Sequence, residues 1–193
     1  MNHDTLVERI ESAGRMVSIH HDTDPMSPAD WDHAGTILLS PSRQGTIPTA
    51  DEVEPSGRMR PDDWEVDARY LERFKGALVF PLDIYWDWNP TVRIGDDYQD
   101  ADGIVYLTSD ELAEEWNGDR AAAESYLRAR INELNQYLQG DVYCYEVADE
   151  AGNVLDSCGS FYGLDYCRDE ARGAALENAA PTGAQLAALL LPL

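Results

Sequence analysis

The chain has 193 residues, 44% of them apolar, with 37 acidic against 14 basic side chains and a formal net charge of −23. That length and apolar content suit one globular domain with a buried core and exclude disorder throughout. The charge makes binding to bare nucleic acid or to an anionic membrane unfavourable, and no run of 18 apolar residues offers a transmembrane helix.

The opening MNHDTLVERIESAG has neither a basic nor an apolar stretch, so no secretory signal is expected and the protein is placed in the cytoplasm. Residues 4–13 predict a short helix with Leu6, Val7 and Ile10 on one side. His20 to Gly35, rich in Asp, Pro and Ser, reads as a loop, and Thr36–Leu39 as a short strand. Between Pro41 and Pro61, proline, glycine and small polar residues predict a long irregular excursion. Pro61-Asp62-Asp63-Trp64 opens a helix to about Phe74: proline suits a first turn, and aspartates suit the positive end of the dipole.

Ala77–Trp86 is the most strand-like segment, and its internal Pro81 predicts an edge strand or a bulge. Pro90–Ile94 and Gly103–Leu107 read as further strands. Thr108-x-x-Glu111 forms a capping box before a helix that ends near Asn117-Gly118. Asp119 caps a second helix to Leu138, with Leu127, Ile131, Leu134 and Leu138 as its core stripe. Residues 142–160 predict a β-hairpin and Asp165–Asn178 a final helix capped by Asp165. The sum is an α+β fold: a single domain over 1–193 with a mainly antiparallel sheet and helices packed on it. Within it, 1–75 is expected to be less regular, 76–178 to hold the core, and 179–193 to form an apolar tail.

Few residues suggest chemistry. Cys144, Cys158 and Cys167 lack the spacing of a zinc site. If Ala148 pairs with Val154, Cys144 and Cys158 face each other across the hairpin; a shorter loop puts them out of register. His20-His21-Asp22-x-Asp24 holds metal-capable groups, read here as solvated loop residues. Asp100, Asp102 and Gly103 fit positions 3, 5 and 6 of a calcium loop, but Tyr98 and Ser109 stand where its first and last ligands belong, so an acidic turn is expected. No phosphate-binding loop, dinucleotide fingerprint, nucleophile elbow or zinc-protease motif occurs. Neither enzymatic activity, cofactor nor metal is expected.

Charge is the remaining signal. Thirteen of the fourteen basic residues are arginine, as a GC-rich genome would give, and a salt-rich cytoplasm would also favour many surface carboxylates. The alternative is an acidic face that imitates nucleic acid. From Asp51 to Asp119 there are nineteen acids against six bases. At one charge per roughly 1.7 Å of duplex axis, a charge of −23 corresponds to a duplex about 39 Å long. A domain of this size is about as wide. The residues expected to meet a partner are Asp62, Asp63, Asp83, Asp87, Asp96, Asp97, Asp100, Asp102, Glu111, Glu114 and Glu115, with the aromatics Trp86 and Trp88. Those two, together with Tyr85, serve either a partner or the core.

The segment Tyr143-Cys144-Tyr145-x-Val147, Asp149-x-x-Gly152, Asp156-Ser157-Cys158-x-x-Phe161-Tyr162-Gly163-x-Asp165-Tyr166-Cys167 resembles a family of small, largely uncharacterised acidic proteins of phages and mobile elements. The likeness extends more weakly over residues 75–172. That family is associated with antirestriction and other anti-defence functions. The resemblance implies an accessory protein acting in the host cytoplasm, with a host defence protein or nucleic-acid-binding complex as its partner. The family's His-Ser-Gly step after the strand equivalent to Leu78–Trp86 is replaced here by Trp86-Asp87-Trp88-Asn89, and no catalytic residue carries over.

Overall fold

The computed structural model describes residues 5–40, 47 and 64–179. The fold is α+β, and every strand pairing among the described residues is antiparallel. The chain forms two compact units, residues 1–25 with 140–193 and residues 26–139. The stretch 76–178, expected to hold the core, is therefore shared between them. The excursion expected over 41–61, apart from Ile47, and the tail beyond residue 179 lie outside the described residues.

The first unit begins with β1 (Leu6–Ser12) and β2 (Arg15–His21), a hairpin where a helix was expected. Its turn, Ala13-Gly14, has φ of 52° and 70°. Positive φ at both positions is what a two-residue hairpin needs to match strand twist, and it cannot continue a helix. Leu6, Val7 and Ile10 alone are too few to separate the two periods. His20 and His21 thus lie on a strand rather than in a solvated loop, and His20 is buried.

The unit's sheet runs β1-β2-β7-β8, with β7 at Val142–Ala148 and β8 at Val154–Tyr162. Alternate residues Val17, Ile19, Tyr143, Tyr145 and Val147 face α4 (Leu164–Glu177) and pack on its Cys167, Ala171 and Ala174. Gly163, at φ 89°, turns the chain into α4, but Asp165 does not cap that helix. Its carboxylate instead accepts from Arg168 at 2.6 Å, and the same guanidinium grips Glu8 of β1 through two bonds of 2.7 and 2.8 Å.

Ala148 does pair with Val154, yet Cys144 and Cys158 are not opposed. A register shift one residue along pairs Val147 with Asp156 and puts Tyr145 against Cys158. The extra residue of a bulge moves every later side chain by one, so the two thiols fall on opposite faces.

In the second unit the sheet runs β3-β6-β4-β5: β3 is Thr36–Leu39, β4 Leu78–Trp86, β5 Pro90–Ile94 and β6 Gly103–Leu107. Helix α1 (Trp64–Lys75) covers one face through Trp64, Ala68 and Leu71 against Leu38, Val79 and Ile104. Helices α2 (Ser109–Trp116) and α3 (Arg120–Gln139) supply Leu112, Leu127, Ile131 and Leu134 to the other face, against Ile37, Leu39, Leu82, Val105 and Leu107. Burial on both faces explains why β3, β6 and the first half of β4 read as unbroken apolar runs, whereas β5 alternates. Among the described residues no helix is long and apolar enough to cross a membrane.

Pro81 lies in a central strand, contrary to the expected edge or bulge. Residues 80 and 82 face β6, while Pro81 faces β5 beyond its last residue, where its carbonyl accepts from Gly95 N–H at 3.0 Å. The missing proline donor therefore falls where the ladder with β5 has already ended.

Candidate functional site

The acidic residues come together where β4, the β5–β6 connection and the start of β6 meet. Asp83 points from β4 into a groove of about 390 Å³ that Asp96, Asp97, Asp100 and Asp102 also line, with Tyr85 and Gln99 at its wall. Gly95 passes close to Asp83: a Cβ there would come within 2.7 Å of Asp83 Oδ2, the tip of a side chain. Burial raises the Asp83 carboxyl above the ordinary aspartate range, and the charges of Asp102, Asp97 and Asp96 push it the same way.

The five carboxylates are not equivalent. Asp102 Oδ2 accepts from Ile84 N–H at 2.8 Å, and Asp102 N–H donates to Leu82 C=O at 2.8 Å. Asp102 thus serves as the next rung of β6 beside β4, a structural task that sequence spacing did not suggest. Asp97 Oδ1 accepts from Gln99 N–H at 2.9 Å and shapes the turn, and Asp100 carries a left-handed φ of 65°. Asp96, Asp97 and Asp100 are exposed. No three His, Cys, Asp or Glu side chains among the described residues are grouped to hold a metal ion. The groove is therefore a concentrated negative surface rather than a cage.

The turn joining β4 and β5 follows Tyr85, and alternation along β4 turns Trp86 to the other face of the sheet from Asp83 and Tyr85. Trp86 and Asp87 are exposed, and Trp88 is 96% exposed. Tyr85 is also exposed, so all three aromatics lie on the surface and none serves the core. The Arg93 guanidinium lies 5.0 Å from the centre of the Tyr85 ring. The strand register puts Arg93 diagonally across from Tyr85, a contact a hairpin alignment of the sequence could have revealed.

Glu111, Glu114 and Glu115 form a separate group on α2. Glu111 is not a free surface charge: its carboxylate closes the capping box on Thr108 and accepts from Gly35 N–H at 2.6 Å. Arg130 donates to the Ala34 and Gly35 carbonyls at 3.0 and 2.5 Å, so the same turn is held from α3. Burial pushes the Glu111 carboxyl up, but the bonds from Gly35 and Thr108 and the Arg130 charge outweigh it and leave it below the usual glutamate range. Glu114 and Glu115 are exposed and line a hollow of about 400 Å³ with Asp32, His33, Trp116 and Tyr126. Asp62 and Asp63 lie outside the described residues.

No protein-family model, curated protein or solved structure matches the chain.

Proposed function

We propose that the protein is an anti-defence accessory of a phage or mobile element, acting by binding in the cytoplasm of the host cell rather than by catalysis. It occupies the basic surface of a host nucleic-acid-binding defence protein, of restriction or CRISPR type, in place of nucleic acid. The observation that carries this reading is the groove of five aspartates; the exposed Trp86 and Trp88 follow its wall residue Tyr85 in the chain. Carboxylates steer a cationic partner into encounter, and exposed tryptophans supply the apolar anchors that hold it. The resemblance over Tyr143–Cys167 supplies the biological setting.

The test is competition. Double-stranded DNA should displace the chain from its target, and binding should weaken steeply as salt rises, because exposed charges are screened within about 8 Å at physiological ionic strength. Replacing Asp96, Asp97 and Asp100 by Asn should slow association more than it speeds dissociation. Asp102 stays intact in that variant because it holds β4. A target that binds DNA and this protein independently would overturn the mimicry.

A second reading has its own support: an ordinary phage or plasmid protein whose acidity reflects halophilic or GC-rich adaptation. The acid excess is shared by both units, 14 acids to 4 bases in residues 1–25 with 140–193 and 23 to 10 in residues 26–139. Adaptation spreads charge in this way, and under it no basic target competes with DNA.

A further inference from the structure

The free edge of β5 is sealed for part of its length by α3. Asn135 Oδ1 accepts from Val92 N–H at 2.8 Å, and Asn135 Nδ2 donates to Val92 C=O at 2.8 Å, as a neighbouring strand would. One helical turn on, Gln139 Nε2 donates to the Pro90 carbonyl at 3.2 Å. Four helical residues rise about 6 Å and two strand residues about 6.7 Å, so positions 139, 135 and 131 keep step with 90, 92 and 94. At 131 the residue is a buried isoleucine, which has nothing to offer a backbone. The row of amides therefore stops one step short. The N–H and C=O of Ile94 point to the same side as those of Val92, because groups two apart in a strand share a direction.

On that side lies a groove of about 350 Å³, lined by Arg93, Arg128, Asn132 and Asn135 together with Val92, Ile94 and Ile131, and no carboxylate lines it. Its charged lining groups are these two arginines, with Arg93 standing across the strand pair from Asp83. Arg93 rests over Tyr85, and Arg128 lies 5.9 Å from the Phe80 ring centre while pairing with Glu124 at 2.8 Å. Both guanidiniums are exposed beside the groove.

We propose that this groove binds an extended acidic peptide segment. One residue of the segment pairs through its N–H and C=O with Ile94, and carboxylates of the segment are taken by Arg93 on one face of the sheet and by Arg128 on the other. Backbone pairing supplies the geometry and the two arginines select the charge. The pairing is short because Asn135 already fills the next step of the edge. The site adjoins the aspartate groove through Arg93, which pairs across the strands with Asp83, and calls for the opposite partner charge.

The probe is a fluorescein-labelled peptide of alternating valine and glutamate, six residues long, followed by anisotropy with the full chain at physiological salt. Saturable binding is expected, weakened about tenfold or more by Arg93→Gln with Arg128→Gln, the loss expected when charge-assisted bonds are removed. Binding of the lysine counterpart of the peptide, which is directed to the aspartate groove, should not weaken in that variant, since it removes only positive charge. N-methylation of the peptide at one backbone position should abolish binding, and at its neighbours should not. Circular dichroism checks that the variant folds, and Ile94→Pro, which deletes the outward N–H along with the Ile94 side chain, gives a second measurement read against Ile94→Ala, which deletes the side chain and keeps the N–H. The proposal is overturned by absence of binding, by indifference to the two arginines, or by indifference to N-methylation at every position, which would mark a plain anion pocket.

Discussion

Glu111 and Asp83 are both carboxylates in the second unit, and the surroundings drive them in opposite directions. Glu111 is held low by donors, so its ionised form stabilises the fold; that contribution is complete above the ordinary glutamate range and is lost as pH falls through the lower native value. Glu111→Ala should cost about 1–2 kcal/mol in chemical denaturation at neutral pH, the range for losing a cap. Most of that cost should vanish in acid. Asp83 is held high by burial and by neighbouring aspartates, so its charge opposes folding at neutral pH and the opposition fades as pH falls. Asp83→Asn should therefore raise the melting temperature at pH 7 and make little difference near pH 3. A lower melting temperature at pH 7 would mean that Asp83 has a stabilising partner.

At the scale of elements, two close approaches decide how the sheets form. Gly103 opens β6 opposite Leu39, and a Cβ there would run into the Leu38 carbonyl oxygen and approach Leu39 Cδ2 at 2.8 Å. The obstacle is backbone and cannot swing away, so Gly103→Ala should destabilise by about 2–3 kcal/mol, the upper range for overpacking. Equal midpoints for variant and parent in urea would show that β3 and β6 are less closely apposed. In the other sheet, Tyr145 is 7% exposed and its ring stacks on Phe161 at 5.4 Å beneath α4. Tyr145→Ala should cost about 3 kcal/mol, as other large core truncations do. A loss below about 1 kcal/mol would mean that α4 packs elsewhere.

For the whole molecule the governing fact is that both units carry a large acid excess, a difference of 10 in residues 1–25 with 140–193 and of 13 in residues 26–139. Like charges on each compact body repel, and salt screens them. The melting temperature should therefore rise as sodium chloride goes from about 10 mM to about 500 mM, where the Debye length falls from roughly 30 Å to a few ångströms. A fall would mean that ion pairs such as Arg168 with Glu8 and Asp165 outweigh the repulsion. The same titration separates stability from binding: added salt should stabilise the fold while weakening capture of a basic partner.

Elements whose signals are local can be read from the amino acids alone. Thr108 and Glu111 mark a helix start because a capping box is complete within four residues. Thr36–Leu39, Pro90–Ile94 and Gly103–Leu107 are legible as strands because apolar runs between turn residues suffice. Of the site, the acidic character of Asp83, Asp96, Asp97, Asp100 and Asp102 is composition, and composition is visible. What those residues do follows from the folded chain, because burial, pairing and charge proximity are relations between distant positions. The fold made Asp102 a rung for Ile84 and Glu111 a clasp for Gly35, and it placed Pro81 centrally by ending β5 in front of it. One bulge residue separated Cys144 from Cys158, and the turn at Ala13-Gly14 chose hairpin over helix. The division of the chain at Pro25–Met26 and Gln139–Gly140 was likewise hidden, since β2 finds its partner β7 only across more than a hundred intervening residues and no local composition records that pairing.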